Sequence, residues 1–176
     1  PALGLLNFNY LPFPFNAYYD LEEAPTVDGK AWKLEVRGLV DNKKPWTLEE
    51  LYKLPQVKQL TRHICVEGWS AIGSWTGTPL RDFLKIVGAD MRAKYVWFQC
   101  ADKDGYNSPL DMQSALHAQT QMTFKFGDEI LPRAYGFPMK IRVPTKLGFK
   151  NPKYVMSMEV TNDYKGGFWE DQGYNS

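Results

Sequence analysis

Cys65 stands in the stretch TRHICVEGWS (residues 61–70), with Arg62 and His63 before it and Glu67 two residues after it. It is one of two cysteines in 176 residues; the other is Cys100. A thiol in that company has four chemistries open to it. It can be inert, since free cysteine is among the most buried residue types. It can bridge to Cys100 if the compartment is oxidising. It can be a nucleophile: on a strand His63 would share its face, and a neighbouring imidazole and guanidinium lower a thiol pKa. It can also be a thiolate ligand to a metal. Zinc is a poor match, because there is no CxxC pair and His63 and His117 fall at no compact zinc spacing. A lone soft sulfur suits a metal whose other ligands arrive on a cofactor.

Such a cofactor needs cations for phosphate, amides and hydroxyls for heterocycle edges, and aromatic faces. RVPTKLGFKNPK sets Arg142, Lys146, Lys150 and Lys153 around Gly148 and Asn151. A short loop of that kind can aim N–H groups and ammoniums at a phosphate, although composition alone also describes a solvated basic loop. FNAYYD places Asn16, Tyr19 and Asp20 within an apolar stretch, where an Asx-turn is the plain alternative.

These groups must be carried by a fold. The length fits one domain, residues 1–176, with a substantial core. Hydrophobic residues are 44% and charged residues 23%, so wholesale disorder is excluded. The formal net charge of +1 gives no global field for nucleic acid. No apolar run reaches the roughly 18 residues of a membrane span. Pro1 in place of Met implies a processed or trimmed N-terminus.

Residues 1–20 read as an extended arm. Residues 32–40 alternate as a half-buried strand. Thr47 and Glu50 form a capping box opening a short helix that stops near Pro55. Residues 57–66 read as a strand running into the Cys65 loop. Thr78, Pro79 and Gly88 frame a helix. Residues 94–101 read as a buried strand ending at Cys100, and residues 108–117 as a short helix capped by Ser108. Residues 123–132 read as a hairpin turning at Gly127-Asp128, and 138–145 and 153–162 as strands. Irregular alternation of short elements, without a βαβ rhythm, argues for α+β around a mixed sheet.

Taken in order, RHICVEGWSAIGSWTGTPL, FNAYYD, SALHAQT, GFPMKIRVPTKLGFKNPK and GGFWEDQGYN resemble the sulfite oxidase superfamily over nearly the whole chain, from about residue 13 to 175. These enzymes carry one molybdenum on one molybdopterin. The Cys-Val-Glu-x-Trp-Ser form is most similar to the bacterial branch that includes the catalytic subunit of a periplasmic methionine sulfoxide reductase.

The resemblance implies a sulfite-oxidase-type molybdopterin-binding α+β fold with Cys65 as the metal ligand and Glu67 and Arg62 beside it. It places Asn16, Tyr19, Asp20, His63, Cys100, His117, Tyr135, Lys140, Arg142, Lys146, Lys150, Asn151, Pro152 and Lys153 at the cofactor. Asp20 stands for a Glu, Cys100 for a Thr, Tyr135 for an Asn and Lys140 for an Arg of the related reductases. It further implies oxygen-atom transfer, with reduction of an S-oxide or N-oxide ahead of sulfite oxidation. No haem is expected in this chain. Electrons would come from a membrane haem b subunit or a soluble cytochrome, and the location would be the periplasm. A cofactor-free binding module of the same fold and a Cys-His hydrolase are the competing classes.

Overall fold

The structure is a computed structural model that describes residues 13–174. The first twelve residues of the expected arm therefore lie outside the described residues. In chain order the elements are β1 (Lys33–Gly38), β2 (Trp46–Thr47), α1 (Leu48–Tyr52), β3 (Val57–Ile64), β4 (Ser70–Pro79), α2 (Leu80–Ile86), β5 (Tyr95–Cys100), β6 (Asn107–Asp111), α3 (Met112–Ala115), β7 (Gln121–Phe126), β8 (Glu129–Ile130), β9 (Lys140–Arg142) and β10 (Val155–Thr161). Short 3-10 turns join several of them.

Two sheets result. One has the order β2-β1-β10-β5-β6, with β1 and β10 parallel and the other pairs antiparallel. The second runs β3-β4-β7-β8, and β9 also pairs with β7. The mixed sheets and short helices are the expected α+β class. Leu34 and Val36 of β1, Phe98 of β5, Met158 of β10, Met122 and Phe124 of β7, and Phe83 and Leu84 of α2 share one core. A smaller aromatic core forms where the arm enters: Phe13 lies 5.1 Å from Trp75 and 5.5 Å from Tyr135, centroid to centroid. Edge-on contacts of this kind add to area burial.

Three local expectations hold. Thr47 and Glu50 form the reciprocal capping box of α1. The β7–β8 hairpin turns at Gly127, where φ is +62°. In β1 the buried Leu34 and Val36 alternate with the exposed Lys33, Glu35 and Arg37. Three others are corrected. Residues 108–117 are not one helix: Asn107–Asp111 is a strand at a sheet edge, where Pro109 can do without its N–H, and Asp111 rather than Ser108 caps a single following turn. Thr78 does not cap α2; it is buried in β4, and Pro79 holds the cap position. Residues 138–145 give only the three-residue β9.

The ten-residue β4 carries the site hairpin and is the element sequence reading did not mark. Its glycines and small polar residues hide the strand period. Gly77 is required there: a Cβ would lie 1.9 Å from the Met122 carbonyl oxygen of β7. Gly77→Ala is expected to cost about 3 kcal/mol in urea unfolding, since backbone must move on both strands. Thr47→Ala, which removes only the cap, is expected to cost about 1 kcal/mol in the same measurement.

Candidate cofactor site

The period of two along β3 decides which side chains reach the site. Thr61, His63 and Cys65 point inward and are buried, whereas Arg62, Ile64 and Val66 point out. The strand ends at a tight turn in which the Cys65 N–H donates to the Trp69 carbonyl (2.9 Å). Gly68 supplies the positive φ of +90°. Cys65 is 4% exposed, and both cysteines are free thiols, so no Cys65–Cys100 bridge exists.

Behind Cys65 runs a chain of hydrogen bonds whose polarity is determined. Arg142 on β9 places Nη1 2.7 Å from His63 Nδ1 and 3.0 Å from Asn151 Oδ1, and Nη2 3.1 Å from Thr61 Oγ1. A guanidinium only donates, so Nδ1 must accept. Burial, reinforced by the charges of Lys140, Arg142 and Lys153, pushes the His63 imidazole down to about 2, so the ring is neutral. Its single proton is then on Nε2. The Asn16 amide places Nδ2 2.7 Å from Nε2 and Oδ1 3.7 Å from Cys65 Sγ. Two N–H groups cannot face one another, so an N–H at Nε2 calls for the opposite amide orientation, with the oxygen on Nε2 and the NH2 toward the sulfur. Gly148 closes over this contact; a Cβ there would lie 2.7 Å from the Asn16 amide and 2.8 Å from His63 Nε2.

The thiol faces a cleft of about 960 Å³, its open mouth included. Asn16, Tyr19, Cys65, Glu67, Lys140, Asn151, Pro152 and Lys153, all named from the sequence, line it. Lys140 is 3% exposed, with neither a hydrogen-bond acceptor nor a carboxylate partner among the described residues; its ammonium rests over the Trp75 ring at 5.2 Å. Burial holds its pKa well below the ordinary lysine value, with the Arg142 charge adding to the effect. Burial likewise brings Lys153 down to about 8, partly offset by Asp102, and Arg142 down to about 10. Arg142 Nε is buried without a partner among the described residues. Cations held this way lack a counter-ion, and a bound polyanion supplies one.

Other expected residues lie elsewhere. Arg62 is on the outer sheet face, donating to Ser70 Oγ at 2.8 and 3.0 Å. Asp20 is exposed, its carbonyl accepting from the Glu23 N–H. Cys100 belongs to the main core. His117 is exposed after α3, and Tyr135 spends its hydroxyl on the Phe13 carbonyl (2.7 Å). Arg142 reaches the cleft only through His63 and Asn151. Lys146 approaches Asp111 (3.8 Å), and Lys150 is buried, donating to Glu170 and to the Pro109 carbonyl.

Lys150 nevertheless shapes the site, because Glu170 belongs to the closing segment whose Trp169 and Tyr174 form a cleft wall. Sequence reading also missed Asp102 and Tyr106, which line the cleft from the β5–β6 loop. Tyr19 donates its hydroxyl to Asp102, whose carboxyl burial raises. The polar run ADKDGYN directly after a buried strand was the available signal for both.

The class of site is now defined: a neutral-imidazole relay behind a buried thiol, opening on a cleft with uncompensated cations at one side and a carboxylate and phenol at the other. It suits an anionic, phosphate-bearing heterocycle beside a thiolate-bound metal. The chain belongs to the family described as "Oxidoreductase molybdopterin binding domain", whose model matches residues 21–169. It is therefore a molybdopterin-dependent oxidoreductase domain with molybdenum on molybdopterin as its cofactor.

Among similar proteins is YedZ1 of Azospira oryzae, provisionally named a protein-methionine-sulfoxide reductase subunit. It is 61% identical over 93% of this chain and 62% of its own length. Catalytic subunits of protein-methionine-sulfoxide reductase, MsrP, from Ralstonia nicotianae and Burkholderia mallei are 32% and 29% identical, over 83% and 95% of this chain and 48% and 55% of theirs. The chain thus spans less than two thirds of the length of these relatives. The crystal structure of the sulfane dehydrogenase SoxCD from Paracoccus pantotrophus shares the fold, with a TM-score of 0.74 at 19% identity over 80% of this chain and 40% of that one.

The cofactor fits the residues present. Lys140, Lys153 and Asn151 would hold the phosphate and sulfur-bearing side, and Asp102 and Tyr19 would meet ring N–H groups and edge acceptors. Among the described residues no group of three or more His, Cys, Asp and Glu could hold a metal alone. Cys65 would be its protein ligand, its thiol raised by burial when free and deprotonated on coordination.

Two outcomes follow. Asn16→Asp replaces the amide NH2 beside the sulfur with an acceptor. It is expected to lower molybdenum content or turnover at least about tenfold, while Asn16→Ser retains more of both. In the cofactor-free protein, Lys153 titrates lower folded than unfolded, so below about pH 8 it carries its full destabilising charge. Between pH 8 and 10.5 the unfolded chain binds the extra proton, and stability rises with pH. Relative to Lys153→Met, wild type should gain on the order of 3 kcal/mol across that window in urea unfolding.

Proposed function

We propose that this domain reduces S-oxides, methionine sulfoxide of polypeptides foremost, with electrons from an external donor. The observation that carries the reading is the buried Cys65 thiol at the mouth-facing end of β3, backed by the Arg142–His63–Asn16 relay. The reductase names of the relatives support the direction. When bound, the molybdenum centre supplies a two-electron couple for oxygen-atom transfer, and the protein positions it and sets its surroundings. Overall, an S-oxide takes two electrons and two protons to give a sulfide and water.

The chain's own groups do the rest. Asn16 orients at the sulfur, and His63, neutral and held at both nitrogens, is a fixed dipole rather than a base. That speaks against the Cys-His hydrolase reading, in which the imidazole must accept the thiol proton. Glu67, at the cleft edge, accepts from the Trp69 indole N–H (3.0 Å) and is exposed to solvent. Sulfite oxidation is less well served. A sulfite dianion needs cations at the reacting centre, and Arg62 points to the opposite face of β3.

Two cysteines far apart make no haem-attachment motif, so the donor is a separate chain or domain, a membrane haem b subunit or a soluble cytochrome. The location in this reading is the periplasm. Among the described residues no helix is long and apolar enough to cross a membrane.

The test is steady-state turnover of the molybdenum-loaded protein. Methionine sulfoxide with a reduced dye should be consumed, sulfite with an oxidised acceptor should not, and Cys65→Ser should lose at least about a hundredfold in kcat/KM. Preference for sulfite, or unchanged turnover in Cys65→Ser, overturns the reading.

A further inference from the structure

Asn16 and Tyr19 reach the cleft from residues 13–24, a segment that belongs to no strand. Among the described residues its backbone-to-backbone hydrogen bonds are purely local. The Glu23 N–H donates to the Asp20 carbonyl (3.0 Å) and the Ala24 N–H to the Leu21 carbonyl (3.1 Å). No sheet ladder sets where the segment lies, so side chains must do it.

Three of its carbonyls are taken by one turn. Tyr135 donates its hydroxyl to the Phe13 carbonyl (2.7 Å). Arg133 donates Nη2 to the Leu21 carbonyl (3.1 Å) and Nη1 to the Ala24 carbonyl (2.9 Å), with Thr26 Oγ1 at 3.4 Å. Both residues belong to the 3-10 turn Arg133–Tyr135. The segment is therefore gripped before Asn16 and again after Tyr19, and both gripped residues, Phe13 and Ala24, are buried. The Tyr135 ring packs against Phe126 at 4.6 Å, which restricts its hydroxyl.

The far side of the turn rests on the cleft wall. Gly136 ends it with a φ of +114°, its carbonyl accepting from the Tyr154 N–H (3.2 Å). The Lys153 ammonium lies 3.5 Å from the Ala134 carbonyl. One turn thus sets the distance between the segment that brings Asn16 and the wall that brings Lys153.

Asn16 needs that setting. Its amide lies between His63 Nε2 and Cys65 Sγ, at 2.7 and 3.7 Å, and hydrogen bonds weaken steeply when displaced. It follows Phe13 by three residues, on the order of 10 Å of extended chain, so a slip at Phe13 is passed on to the sulfur. Neither Arg133 nor Tyr135 lines the cleft, so each acts through other residues.

We infer that Arg133 and Tyr135 are positioning residues of the molybdenum site, holding residues 13–24 across the cleft so that Asn16 covers the Cys65 sulfur and Tyr19 meets Asp102. The substrate does not enter; any reaction at Cys65 needs the same hold.

In the cofactor-free protein the hold is read by alkylation of Cys65 with iodoacetamide, since the thiol is 4% exposed beside Asn16. Peptide mapping separates Cys65 from Cys100, and thermal melting checks that each variant folds. Tyr135→Phe and Arg133→Met are each expected to raise the Cys65 rate about fivefold, through more frequent local opening. Arg133→Lys keeps one donor and should fall between Arg133→Met and wild type. Thr47→Ala, which loses a helix cap on another element, should alkylate at the wild-type rate even though it melts lower. In the loaded protein the release of molybdenum is followed with time. Tyr135→Phe should speed it about fivefold in the wild-type background but less than about twofold in Asn16→Ser, because the hydroxyl acts through Asn16.

Equal alkylation of wild type, Tyr135→Phe and Arg133→Met would remove both residues from the role. A matching rise in Thr47→Ala would do the same, by showing that general stability sets the rate. An effect of Tyr135→Phe on release that persists in full in Asn16→Ser would refute the route through Asn16.

Discussion

The site depends on one constraint: Arg142 is a donor at every nitrogen and is buried where His63 Nδ1 is its partner. That fixes the tautomer of His63, the tautomer fixes the face of the Asn16 amide, and the amide fixes which polar group meets the Cys65 sulfur. Each link is short-range, yet the chain joins β9, β3 and the N-terminal arm. A neutral residue at 142 would leave the imidazole free to choose, and a thiolate beside an amide oxygen is the wrong pairing. The cost is a guanidinium held in the interior, relieved by Thr61, Asn151 and the face of the Trp75 ring at 4.9 Å.

Buried cations make the same point for the cleft. In a finished ion pair a buried charge is settled; here Lys140 has no carboxylate partner among the described residues, and the burial of Lys153 is only partly offset by Asp102 and Cys100. The cofactor-free protein keeps these ammoniums at a disadvantage, which a bound anion removes. Stability and binding are set against one another in the same residues, as is common where function and strain coincide.

Much of this was legible in the sequence, for reasons tied to particular residues. The strand period alone put His63 and Cys65 on one face, and of the Lys-Asn loop read as a phosphate cradle, Asn151, Pro152 and Lys153 line the cleft. The capping box at Thr47 needed only local chemistry. What failed was whatever depends on distant partners. Lys146, Lys150 and Lys153 look alike in the string, but only Lys153 turns to the cleft, because Glu170 and Asp111 claim the other two. Arg62 and His63 are adjacent, yet a period of two sends them to opposite sides. β4 was hidden because its glycines answer to β7, far along the chain, and Asp102 because a loop carboxylate has no pattern of its own.

The walls of the cleft come from Asn16 and Tyr19 at one end of the chain, Cys65 and Asp102 in the middle, and Trp169 and Tyr174 at the other end. No fragment of the chain contains the whole site, so an unfolded or half-folded molecule offers the cofactor almost nothing to hold. Binding energy therefore counts directly toward folding. Each tenfold excess of free cofactor over its dissociation constant adds about 1.4 kcal/mol to the folded state. The segments 13–20 and 166–174 become cross-braces through the ligand, and resistance to proteolysis within either should report cofactor occupancy as faithfully as the metal itself.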